Sequence, residues 1–191
     1  MLGRSRCIHQ IGMVHHERFK QSCQDETPTE IAEAHARNAG QHYRQALTIC
    51  PPAAFADLGT MHYHFGHFCL EVGGSERARD HYERALLCFE QCGDHYNTGS
   101  VRYSLAFMYL VTEEQEPTRR RDLLRRAEAY AQASLRDFKF YQGRAADLEA
   151  RAQRLIDVIA QALGGVGPHP IGHRLTTQNF RLSERQGTIA A

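Results

Sequence analysis

At 191 residues and a formal net charge of +1, the chain is long enough for one domain or a short helical array. It carries no global field that would drive it to nucleic acid or a membrane. Apolar residues make up 42% and charged residues 24%, a balance that excludes wholesale disorder. In chain order, residues 5–20 form the first expected helix, with Ile8, Ile11, Met13 and Val14 among its apolar positions. Thr27-Pro28-Thr29-Glu30 supplies a cap residue, a proline at the first helical position and a glutamate three after the cap. The second helix therefore starts there and runs to about Cys50, where Pro51-Pro52 stop it. Its stripe is Ile31, His35, Ala39, Tyr43, Ala46, Leu47 and Cys50. The third helix covers about 53–72. Ser75, after a Gly-Gly break, is placed to cap the fourth, whose stripe is Ala78, Tyr82, Ala85, Leu86 and Phe89.

Gly93-Asp94 ends that helix, and a fifth is expected over 101–112. The sixth spans about 118–140, with Ala127, Ala131, Ser134 and Leu135 on one side. A last helix over 144–163 buries Leu148, Leu155, Ile159 and Ala162 and turns Arg and Asp outward, as an end cap requires. Residues 164–191 lack a sustained period and read as a flexible tail, with 171–182 as a short docking segment. The expected helical domain is thus 1–163.

A small residue recurs beside a branched one in Ile11-Gly12-x-x-His15, Leu58-Gly59-x-x-His62 and Leu105-Ala106-x-x-Tyr109, with an equal spacing of 47 residues. The second helices share Ala39-Tyr43-Ala46-Leu47 and Ala78-Tyr82-Ala85-Leu86. This order resembles the tetratricopeptide repeat, in the extended class found in scaffold and bacterial regulatory proteins. Phe55 and Arg102 stand where that family carries Trp, and the units exceed its standard length of about 34 residues. The resemblance implies an all-α, right-handed solenoid of about three antiparallel helix pairs plus a C-terminal capping helix. It also implies a scaffold that holds a peptide or amphipathic helix of a partner protein in a concave groove. The groove positions would be His9, Met13, His16, Tyr63, His64, Tyr103, Phe107 and Leu110. No row of Lys or Arg lines them, so an amphipathic helix suits them better than an acidic C-terminal peptide. Tyr63, Tyr103 and Phe107 either face that groove or, if the lengthened helices rotate, pack on the next helix. The first helix begins without a capping sequence, so its face is either open or covered by a second copy of the chain.

Other chemistries are weighed on their own residues. Arg119, Arg120, Arg121, Arg125 and Arg126 crowd the start of a helix, where positive charge opposes the macrodipole. A solvated face is the simple reading. A patch for an acidic partner or nucleic acid, in a sensor segment of a signalling or transcription regulator, is the alternative. No aromatics are interleaved with these arginines, and nucleic acid is not the expected partner. Within His62-Tyr-His64-Phe-Gly-His67, His64 and His67 are three apart and could share a metal with His15, His16 or Cys69, the alternative of a His/Cys metal-binding protein. Familiar zinc spacing is lacking, so no metal or cofactor is expected. Cys50, Cys69 and Cys88 fall in or beside apolar stripes and no C-x-x-C pair occurs, which suits reduced thiols in a cytoplasmic protein. No long apolar run follows the basic start, so neither signal peptide nor membrane span is expected. Hydrolase and phosphate-loop motifs are missing, and no enzymatic activity is expected.

Overall fold

The computed structural model describes residues 1–25 and 28–165. Among them the regular structure is seven helices: α1 (Leu2–Gln24), α2 (Thr29–Ile49), α3 (Phe55–Glu71), α4 (Ser75–Cys92), α5 (His95–Val111), α6 (Pro117–Lys139) and α7 (Ala146–Leu163). No strand occurs among the described residues, so the protein is all-α. The expected Thr27 cap and the 171–182 segment lie outside the described residues. Within the expected 1–163 domain two compact units are distinguished, one holding Met1–His81 and the other beginning at Tyr82.

In the first unit α1 packs on α2, and α2 on α3. The buried face of α1 is not the expected one. Ile11 and Val14 are 45% and 51% exposed, whereas Ser5, His9, Gly12, His16, Phe19 and Ser22 are buried. Those six positions advance by four or three residues, so they form a true helical stripe, built from polar and small side chains apart from Phe19. The reason is the neighbour. The Tyr43 ring of α2 comes close to the α1 backbone, and a Cβ at Gly12 would stand 3.1 Å from its Cδ1. α2 shows a smaller rotation of the same kind: Ile31 is 47% exposed, while Ala32, Ala36, Ala39, Gly40, Tyr43 and Ala46 are buried. Around Tyr43 gather Phe65 and Phe68 of α3, with ring centroids at 5.3 and 5.9 Å. A second cluster, Ala46, Cys50 and Met61, is covered by Leu2, Ile8, Leu47, Ala54 and Leu58.

In the second unit α5 packs on α6 and α6 on α7. α5 begins six residues before the expected 101, because Asp94 accepts from the Asn97 backbone N–H at 3.0 Å and caps the helix. Its approach to α6 is close at Gly99, where a Cβ would lie 2.8 Å from Phe138 Cε1, and Ser134 Oγ donates to the Gly99 carbonyl at 2.7 Å. Phe138, Ala145 and Ala152 form the α6–α7 core, and the buried Ala152 completes the α7 stripe with Leu155 and Ile159.

α3 and α4 both end in left-handed glycines, Gly73 at φ 85° and Gly93 at φ 66°. In each case the following N–H reaches back five residues, Gly74 to Cys69 O and Asp94 to Phe89 O, which is the Schellman closure. Ser75 is accordingly the first helical residue of α4, one later than a cap position. All six cysteines are free thiols; Cys50 and Cys69 are buried and Cys88 is half-buried. No helix among the described residues is long and apolar enough to cross a membrane.

Candidate functional site

The expected groove positions sort differently in the two units. In the first unit, α1 and α3 are joined along their length by polar side chains. Arg6 donates to both carboxylate oxygens of Asp57 at 2.6 and 2.9 Å, and this bond holds the Asp57 carboxyl below its ordinary pKa. One turn on, His9 Nε2 lies 3.1 Å from His64 Nδ1, with the rings stacked 4° from parallel. Further along, His16 Nδ1 meets Tyr43 Oη at 3.1 Å and His16 Nε2 meets Glu71 Oε2 at 2.8 Å. In its neutral form His16 accepts from the Tyr43 hydroxyl and donates to Glu71, so both ring nitrogens are used. His9 and His16 are 4% and 8% exposed. Neither has surface to offer a partner, which corrects the expected groove: both belong to the buried stripe of α1, and partners on α2 and α3 take both ring nitrogens of His16 and Nε2 of His9.

Met13, Tyr63 and His64 remain half-buried. Tyr63 stands edge-on to His67 at 4.5 Å. Burial holds His67 and His9 down to a pKa of about 4, and His64 is lowered by the same cause. His9 is pushed further by facing His64. His62, two residues from His64 and so a poor ligand partner for it, meets His81 instead, Nδ1 to Nδ1 at 2.9 Å. No group of three His, Cys, Asp or Glu residues that could hold a metal occurs among the described residues.

In the second unit Leu110 is 2% exposed and is core, not groove. Tyr103 packs against the Phe138–Ala152 cluster together with Leu148, and the Arg151 guanidinium lies 5.4 Å from its ring centre. It therefore takes the second of its two expected roles, packing on a neighbouring helix. Phe107 is half-buried.

The five arginines do not form one surface. Arg120 turns inward and donates to the carbonyls of Leu110 and Thr112 at 2.8 and 2.9 Å, satisfying the exposed end of α5. Arg119, Arg121, Arg125 and Arg126 are exposed. At about 100° per residue, Arg119 and Arg126 share one side and Arg121 and Arg125 another, with Asp122 between them. The macrodipole conflict is met by Glu116, whose carboxylate accepts from the Thr118 and Arg119 backbone N–H groups and is lowered in pKa by the Thr118 hydroxyl first and then by those backbone bonds. Sequence reading missed the polar partners Asp57, Glu71 and Asp137, while Glu116 is among the acidic neighbours that the sequence offers to neutralise the arginines. The only signal of the three missed partners was an acidic residue within or at the start of a helix, which a stripe of apolar residues does not weigh.

These elements define the class as an all-α protein of short-linked helices. No family model, no curated protein and no solved structure matches the chain.

Proposed function

We propose that this protein is a binding scaffold of the tetratricopeptide-like kind, in which the first helix of each pair presents side chains to a peptide or amphipathic helix of another protein. The observation that carries the reading is what remains after internal packing is satisfied. On α1, α3 and α5, Met13, Tyr63, His64 and Phe107 keep part of their surface, at positions the repeat register assigns to the groove. Aromatic groups held partly open on rigid helices are the usual anchors of an interface. In further support, the recurring small residues Gly12, Gly59 and Ala106 are all buried, as close helix packing in a repeat requires. The solenoid arrangement and cytoplasmic setting belong to this proposal, and it assigns no catalytic step.

The test is capture of the partner from native extract with the intact chain, with Tyr63→Ser and with Phe107→Ser. Recovery is expected to fall in at least one variant while circular dichroism and melting stay close to wild type. Undiminished recovery by both variants would contradict the reading. A second reading, contact of Arg119, Arg121, Arg125 and Arg126 with an acidic partner, has their exposure in its favour; it requires that those arginines, and neither aromatic, control recovery.

A further inference from the structure

We infer that the first unit is an acid-sensitive element, its helices tied by histidine–histidine pairs that hold near neutral pH and separate when both members are charged. Nine of the chain's 12 histidines lie between His9 and His81. Six of them meet in pairs, at three of the unit's helix junctions. His15 and His35 join α1 to α2, with Nδ1 atoms 3.2 Å apart. His9 and His64 join α1 to α3 at 3.1 Å, and His62 and His81 join α3 to the start of α4 at 2.9 Å.

The chemistry of such a pair is asymmetric. With both rings neutral, one N–H donates and the other nitrogen accepts. With one extra proton, the imidazolium still donates to its neutral neighbour. With two, neither can accept, and like charges stand about 3 Å apart at part-buried positions. The surroundings decide whether a carboxylate offsets this. His9 faces His64, the Tyr43 ring and, more distantly, Asp57, which is already bonded to Arg6. His15 faces His35, His42 and Arg18, all basic. His64 faces His9 and His16, the latter bonded to Glu71. His81 lies against the Phe65 ring, with centroids 4.2 Å apart. Basic groups thus outnumber carboxylates around the His9–His64 and His15–His35 pairs.

The sign follows from the lowered pKa values of His9, His15 and His64. A histidine held below its ordinary 6.5 contributes stability that is complete above about pH 6.5 and is lost as pH falls toward its folded value, about 4 for His9. The second unit carries an internal contrast. Burial raises the Asp137 pKa despite the opposing Arg102, so this group favours the folded state as pH falls.

Hydrogen exchange of the full chain, corrected for intrinsic rate and run with a chelator present, tests this at pH 7.5 and pH 5. Peptides of α1–α3 are expected to lose protection by about tenfold or more at pH 5, since each unit of pKa depression is worth up to tenfold in the opening equilibrium. Peptides of α5–α7 should keep theirs. The double variant His15→Gln with His35→Gln, whose amides can bond but do not titrate, should lose less protection over the same interval. If that variant fails to fold at pH 7.5, His62→Gln with His81→Gln takes its place. Equal protection of α1–α3 at both pH values would overturn the inference. So would equal loss in both units, or variants that respond like wild type. Loss of protection at pH 7.5 on adding chelator alone would also overturn it, by showing that the pairs hold a metal ion.

Discussion

Tyr43→Ala is expected to cost about 3–5 kcal/mol of stability, among the largest losses available to a single substitution in this chain. Tyr43 is 1% exposed and sits where three helices meet. Its ring lies on Gly12 of α1, tilts against Phe65 and Phe68 of α3, and carries a hydroxyl that bonds His16. Truncation removes the aromatic contacts, leaves a cavity lined by rings that cannot collapse into it, and strips His16 Nδ1 of its partner. Tyr43→Phe separates these effects: it keeps the ring and should cost only about 1 kcal/mol, the worth of one hydrogen bond. Urea melts followed by circular dichroism read both. If Tyr43→Ala matched Tyr43→Phe, the central place of the ring would be wrong.

Arg102→Ala is expected to cost about 2–3 kcal/mol, somewhat below the loss for breaking a fully buried pair. Arg102 Nη1 donates to both oxygens of Asp137 at 2.9 and 2.7 Å, and Nη2 reaches Glu90 at 2.7 Å. Asp137 is 9% exposed, so removing the guanidinium leaves a carboxylate with little water to solvate it. Most of the loss is therefore the stranded Asp137, not the pair itself. Adding Asp137→Leu to Arg102→Ala should restore part of the stability, and a double variant worse than the single would contradict this account.

Arg102 also shows where sequence reading reached its limit. The repeat resemblance marks the position as a departure from Trp, but pairing with a residue 35 positions away leaves no local trace. The helices themselves were legible because ends are chemically marked, by Pro51-Pro52 after α2 and Gly93-Asp94 after α4, and because α6 carries a periodic alanine stripe. The start of α5 was missed because its cap, Asp94, was read only as the end of the preceding helix. The buried face of α1 was missed for a different reason. Its stripe, Ser5-His9-Gly12-His16-Phe19-Ser22, has the right period and the wrong chemistry for a search by apolarity. Ser5, His9 and His16 are buried there with partners: Ser5 Oγ donates to the Leu2 carbonyl at 2.8 Å, His9 meets His64, and His16 meets Tyr43 and Glu71. The candidate groove inherited that error at His9 and His16, while Met13, on the edge of the same stripe, kept its surface.

The binding proposal is tested most directly by replacing Tyr63, Phe107 and Leu87, one at a time, with a photo-crosslinking phenylalanine analogue in the intact chain. Leu87 is the control, an apolar residue of α4 that is 61% exposed and outside the expected groove. Irradiation in native extract should join the protein to one partner from positions 63 and 107 and leave position 87 unlinked. Cross-linking to that partner from position 87, with none from 63 or 107, would contradict a groove on the first helices.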